Sequence, residues 1–383
     1  MQTQLDDAKV LTHPPTAATA ATAAASSASA SPATSDQGGD ATSASSTRAE
    51  LADVHELLAQ GLSYPPEYRD QLANHLPMAL HALFELGASP QQLRAFESGY
   101  ARRFEGLARP EPAPAAADWL ALRGQMSAYA PLRAFFETAL AQEGRDALLR
   151  RVLPELMDAG LATAAFHGLI RTAHAIQAGY EPELASALAY WASRWQALPA
   201  PRLVAEPPSL ALPDWVAELA ARAQGWRSEA PLIQLRMMEA SATPTYQLLA
   251  DALAPAADAP TRVAELAQLA LEIYMQTRNF TVLHMITGLR ALRVVLPWLA
   301  QPEQVQLQLA RALTAAYLAG RVTPLARRPA ALPQSWPEVL ALARASDDDH
   351  LIKLAHACQD EARAYGEPRY LQAAALAVAM ASY

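Results

Sequence analysis

The stretch DDDHLIKLAHACQDE, residues 347–361, decides the fold class and raises the question of function. Ser346 followed by Asp349 reads as a capping box, and three acids at 347–349 suit the positive end of a helix. The spacing predicts a helix over 347–364. Residues three apart are neighbours on a helix surface, so His350 and Lys353 share one face, and Lys353 and His356 share its edge. His350 and His356 sit about 120° apart around the axis.

The lysine is the unusual residue. Of 30 basic residues only Lys9 and Lys353 are lysine; the rest are arginine. Lys9 falls in a tail read below as disordered, which leaves Lys353 as the lysine of the folded part. A buried amine can lose its proton and a guanidinium effectively cannot, so a lone lysine points to chemistry closed to arginine. The plain alternative is a solvated helix lysine.

Working outward, the rest of the chain reads the same way. Alanine and leucine dominate, hydrophobic residues make up 52% and there are 15 glycines in 383 residues, a helical profile with enough apolar surface for a large core. A net charge of −8 without a basic block argues against nucleic acid as a partner. The single cysteine, Cys358, excludes an internal disulfide and suits a reducing compartment. No apolar run is read as a membrane span and the start lacks a secretory pattern, so the cytoplasm is expected, with no membrane partner.

Residues 14–47 are almost all Ala, Ser, Thr and Pro, and residues 1–46 are read as a disordered tail. An all-α domain over 47–383 follows, either a multi-helix bundle or a curved antiparallel array. Thr47 and Glu50 predict a capped helix to about residue 60, and a second runs from Tyr68 to Leu86, interrupted by Pro77. Ser89-Pro90-Gln91-Gln92 caps a third, and 109–118 is a loop. Helical periodicity continues over 127–143, 145–158, 162–179, 182–196, 214–225, 244–254, 261–277, 281–299, 303–319, 335–345 and 368–381. The Pro-rich connector at 199–213 is either an internal boundary or a long surface loop, and no strand is predicted.

Seven of the nine histidines fall in four clusters on these helices: His75 and His81, His167 and His174, His284, and His350 and His356. A lone histidine on an apolar helix face is more often a satisfied core residue. Four such helices in one chain fit a bundle interior that holds a metal, and three or four neutral imidazoles suit iron, copper, nickel or zinc. A carboxylate ligand is not evident, since Asp347–Asp349 is better placed for capping. A lysine amine that takes up carbon dioxide becomes a carbamate, which would supply that oxygen ligand.

The segments NHLPMALHALFELGAS (74–89), FHGLIRTAHAI (166–176), TVLHMITGLRAL (281–292) and DDHLIKLAHA (348–357) resemble the questin oxidase-like family, with a weaker likeness in DWLALRGQMSAYAPLRAFF (118–136). The resemblance runs from about residue 64 to 365. It implies an all-α oxidoreductase working with O2. Fungal relatives open anthraquinone rings, by Baeyer–Villiger-type oxygenation or oxidative ring cleavage, and NADPH is associated with some. It implies a mono- or dioxygenase with non-haem Fe(II), held by four histidines and a carboxylated lysine, acting on an aromatic or quinone-like substrate. The matching positions are His75, His167, His284, His350 and Lys353. Leu76 and Pro77 stand where fungal forms are richer in histidine, which leaves His75 or His81 open as the ligand. Arg171 and His174 are expected beside the substrate, with Arg171 holding a substrate oxyanion or pairing with an acid.

Two other classes compete. A non-catalytic helical scaffold or binding protein explains the composition but not the lone lysine or the four histidine-bearing helices. A zinc hydrolase around a carbamylated lysine shares the lysine logic but usually needs more carboxylates. Convergence of the five residues on one point separates the enzyme from the scaffold.

Overall fold

A computed structural model describes residues 48–202, 208–322 and 332–381. The expected tail, 1–46, lies outside the described residues. The compact unit runs Arg48–Tyr383, and no second unit begins at the 199–213 connector. Part of that connector is tied back to the chain: Leu210 N–H donates to Ala252 O (2.9 Å) and Ala254 N–H to Leu210 O (2.9 Å).

The described residues form sixteen α-helices and one two-stranded hairpin. In chain order they are α1 (Leu51–Gly61), β1 (Glu67–Tyr68), β2 (Leu72–Ala73), α2 (Leu76–Glu85), α3 (Pro90–Ala101), α4 (Tyr129–Glu143), α5 (Arg145–Met157), α6 (His167–Ala178) and α7 (Glu181–Arg194). There follow α8 (Leu212–Arg222), α9 (Ile233–Ser241), α10 (Pro244–Leu249), α11 (Ala259–Thr277), α12 (Phe280–Val295), α13 (Val305–Ala319), α14 (Trp336–Arg344), α15 (Asp349–Tyr365) and α16 (Arg369–Ala381). The fold is all-α, a helical array around one core.

Four helices make the centre. α2 packs on α6, α6 on α12, α12 on α15, and α15 back on α2, which closes a four-membered ring. Nearly every residue of α2 and α6 is buried, and so are most of α12. A helix buried all round belongs at the centre of a large core. The others flank this ring, α7 on α6, α11 on α12 and α16 on α15. Phe280–Trp298 is, contrary to expectation, long and apolar enough for a membrane span, with a mean hydropathy of 1.3, but 72% of that window is buried. Its apolar character serves the core.

Three local departures from expectation place the site. The helix expected from Tyr68 starts at Leu76, because 67–73 forms a tight antiparallel hairpin with Arg69 and Gln71 in the left-handed region. Pro77 therefore lies in the first turn of α2, where a missing N–H costs nothing, and does not kink the helix. α1 is capped by Glu50 with Asp53 rather than by Thr47, which lies outside the described residues. α15 is capped by Asp348, whose Oδ1 accepts from the N–H groups of His350 (2.9 Å) and Leu351 (3.3 Å), and not by Ser346 with Asp349. The cap so formed leaves Asp349 free to turn inward. Helix α9 was not read from the sequence.

Candidate metal centre

The four ring helices each bring one histidine to the same place. His75 is the N-cap residue of α2, held by a hydrogen bond from its backbone N–H to the Tyr100 hydroxyl at 2.9 Å. His167 is the first residue of α6, and three residues before it, Ala164, Ala165 and Phe166, all have left-handed φ (51°, 55° and 71°). Each costs about 1 kcal/mol or more for a residue with a side chain, strain of the sort that persists where surrounding packing over-determines it. Gly288 of α12 takes part in that packing: a Cβ there would lie 3.0 Å from the Phe166 ring. His284 lies one turn into α12, whose start is set by the Asn279 side chain accepting from the Thr281 and Val282 N–H groups. His350 is the second residue of α15.

Ligating atoms of His75, His167 and His350 lie within 4.8 Å of one another. His284 stands beside them, its ring centroid 5.0 Å from that of His167 and 5.4 Å from that of His350. The outer nitrogens have protein partners. His75 Nδ1 is 2.9 Å from Asp349 Oδ2, and His350 Nδ1 is 2.9 Å from Asp349 Oδ1. His167 Nδ1 bonds Ala164 O at 2.5 Å and His284 Nδ1 bonds Phe280 O at 2.8 Å. An acceptor on Nδ1 fixes the Nδ1–H tautomer and leaves Nε2 as a lone pair. His75 Nε2 and His167 Nε2 are then two lone pairs 2.8 Å apart, a contact that needs a cation between or beside them. A shared proton is disfavoured: burial first, then the nearby Lys353 charge, pushes the His75 imidazole down to about 3 against the pull of Asp349. Burial and the neighbouring His75 hold His167 well below its usual range, and burial and His350 do the same for His284. The donor set of neutral imidazoles with carboxylate support fits a first-row transition metal.

Asp349 is the residue that sequence reasoning missed. It is 2% exposed and accepts from two imidazoles, with the Arg103 guanidinium 3.5 Å away. Burial raises its carboxyl, but the His350 and His75 rings against its two oxygens outweigh that and hold it well below the usual range. The signal available was the run of three acids, of which only one is needed as a cap.

Lys353 is buried, 3% exposed, with no carboxylate within ion-pairing distance among the described residues. Burial pushes its amine down to about 8, partly offset by Asp349 and Asp348. Its charge is felt by His75, His167 and His284 on one side and by His174 on the other. The expected face-sharing with His350 thus places it between two histidine layers.

His81, His174 and His356 form the second layer and not part of the first. His81 Nδ1 is 2.9 Å from His174 Nδ1, and the three rings lie 5.1, 5.6 and 5.2 Å apart. Of the two ligand choices on α2, His75 is the one in the first layer. Arg171 shows the pairing role: its Nε and Nη2 donate to Glu183 at 2.7 and 3.0 Å, and Nη2 donates also to Ser186 Oγ at 2.7 Å.

The first layer has one less enclosed side. The His350 side chain is 19% exposed, and the Phe280 ring, 47% exposed, packs edge-on to His284 (4.8 Å) and His350 (4.7 Å). An apolar side chain thus lies between the imidazoles and solvent.

The questin oxidase-like family matches residues 72–358, a span that holds every histidine of both layers and Lys353. The chain belongs to the questin oxidase-like family. No curated protein matches it. Membership makes this questin oxidase-like protein an oxidoreductase of a family that acts on aromatic substrates, and its histidine and aspartate cluster is compatible with a bound metal.

Proposed function

We propose that this protein is an O2-dependent mono- or dioxygenase for an aromatic or quinone-like substrate, with Fe(II) held by His75, His167, His284, His350 and a carboxylated Lys353. The observation that carries the reading is the set of outward Nδ1 partners, which turns the Nε2 atoms toward one another in the core. Iron, when bound there, supplies one-electron and O2 chemistry that side chains lack.

The chain's own residues have distinct tasks. Asp349 orients two imidazoles at once, and its negative charge offsets that of the metal. Lys353, with an amine near neutrality, has a lone pair for the carbon of CO2: a C–N bond forms, one proton leaves, and a carbamate remains. That anion would add an oxygen donor to the imidazoles, and it needs a lysine. Phe280 and the exposed edge of His350 form an apolar rim against which a flat aromatic ring packs. Arg171 stays with Glu183 and supports α6 rather than holding the substrate. The cytoplasm remains the proposed compartment; Cys358 is buried and its thiol is pushed up by burial, so it stays inert.

The test is metal content after anaerobic purification, beside Lys353→Ala, followed by O2 uptake with hydroxylated anthraquinones and hydroquinones, each with and without NADPH. Near-stoichiometric iron that falls in the variant, with substrate-dependent O2 uptake, supports the reading. Absence of metal after reconstitution with ferrous iron and bicarbonate would overturn it.

A further inference from the structure

Both supports of His75 meet at one residue. Asp349 Oδ2 bonds the His75 imidazole at 2.9 Å, and the Tyr100 hydroxyl accepts from the His75 backbone N–H at 2.9 Å. Arg103, in the 3₁₀ turn Arg102–Phe104 that follows α3, touches each of them. Its Nη1 donates to Asp349 Oδ2 at 3.5 Å, and its guanidinium carbon stands 4.2 Å from the centre of the Tyr100 ring. The same Nη1 donates to the hydroxyl of Tyr68 in β1 at 3.2 Å.

The two oxygens of Asp349 are not equivalent. Oδ1 faces His350 Nδ1 at 2.9 Å, while Oδ2 is shared between His75 Nδ1 and Arg103. Arg103 therefore brings a permanent charge to that carboxylate. Burial works against the charge, but Tyr100, Asp349 and Tyr68 hold its proton more firmly than usual, and a guanidinium does not give it up at ordinary pH. The Arg103 side chain is 24% exposed against 2% for Asp349, so the charge stands at the wall of the first layer and not inside it.

This placement has an electronic consequence. An oxygen that already receives a cation is a weaker acceptor for a second N–H. Arg103 thus limits how far Asp349 pulls on the His75 Nδ1 proton, and with it how much electron density His75 passes to a metal at Nε2. It also offsets the carboxylate charge, and a less negative surround favours the lower of two oxidation states of a cation. Both effects have the same sign.

We infer that Arg103 is a positioning residue that acts through Asp349 and Tyr100 to hold His75 in place and to keep bound iron in the ferrous state. The inference rests on the metal reading of the first layer and deepens it, since iron oxidised before substrate arrives is lost to the reaction.

The experiment is a mediated redox titration of the iron-loaded full-length chain, with the ferric fraction read by electron paramagnetic resonance, for wild type, R103K, R103Q and R103M. Anaerobic iron content and circular dichroism are measured on each. R103Q and R103M remove the charge and keep a side chain over Tyr100; R103K keeps the charge. The expected result is a midpoint potential lower by about 59 mV or more in R103Q and R103M, a tenfold change in the ferric-to-ferrous ratio at fixed potential, with R103K recovering most of it. An unchanged or raised potential in the two uncharged variants, or R103K shifted as far as they are, overturns the role of Arg103 while the bound iron upholds the metal site. A wild type that binds no iron overturns both. If neither uncharged variant folds, Arg103 is a structural ion pair and the inference falls.

Discussion

His75 Nε2 and His167 Nε2 face each other at 2.8 Å, although each ring already has a partner at Nδ1. Two lone pairs at that distance are unfavourable without a cation, so metal binding and folding are linked. Fe(II) at about 100 times its Kd should stabilise the protein by about 2.7 kcal/mol. A thermal melt with and without Fe(II) checks it; an unchanged Tm at saturating metal, in a protein shown to bind it, would exclude the linkage.

Asp349 serves both His75 and His350, and Asn cannot accept equally from both. D349N should bind metal about 10–100-fold more weakly, with little change in helix capping because Asp348 does that job. Competition against a chelator gives the affinity. A Kd within twofold of wild type would mean the carboxylate orients nothing.

Acid should unfold the metal-free protein early. Six buried imidazoles, His75, His81, His167, His174, His284 and His356, are held below their ordinary range in the folded state, chiefly by burial. An unfolded chain takes up these protons near pH 6.5 and the native one does not, down to about 3 for His75 and His81. Stability is therefore fully present above about pH 6.5 and drops as pH falls, by up to about 1.4 kcal/mol per pH unit for each group. Urea midpoints measured from pH 7.5 to 5 should decline steadily; a flat profile would contradict the assigned neutral imidazoles.

Gly168, beside His167, has no room for a side chain. A Cβ there would lie 2.6 Å from Trp191 Cγ, and Trp191 is fully buried with its indole N–H on Gly160 O at 3.1 Å. G168A should lose about 1–3 kcal/mol despite alanine's better helix propensity. Chemical denaturation measures it, and a variant as stable as wild type would show that Trp191 yields freely.

Phe280 offers a readout of substrate recognition. With its ring half in solvent, F280A should cost little stability. Aromatic contacts worth about 0.5–1.5 kcal/mol predict a KM about 2–12-fold higher for an aromatic substrate, with a smaller change in kcat. Equal losses in both would point instead to a disturbed His284 or His350.

Most helices were legible because their signals are local. Ser89-Pro90-Gln91-Gln92 forms the capping box it spells, and the spacing of 145–158 and 261–277 returns helices within two residues of those limits. The histidine-bearing segments were legible for the same reason. The start of α2 was not: the left-handed turn at Arg69 and Gln71 uses residues with no glycine signature. Nor were the three left-handed residues before His167, an Ala-Ala-Phe run that by propensity alone continues a helix.

By itself the sequence determined an all-α chain, helices carrying paired histidines, and one lysine where arginine prevails. Periodicity and capping act within a few residues, so they survive being read without the fold. Only the tertiary structure decided that Asp349 turns inward to meet His75, 274 positions away, and that Arg171 goes to Glu183. It alone split the histidines into two layers with Lys353 between them. Those outcomes depend on which buried polar groups meet when four helices close a ring, and the cost of leaving such groups unpaired acts only once the core has excluded water.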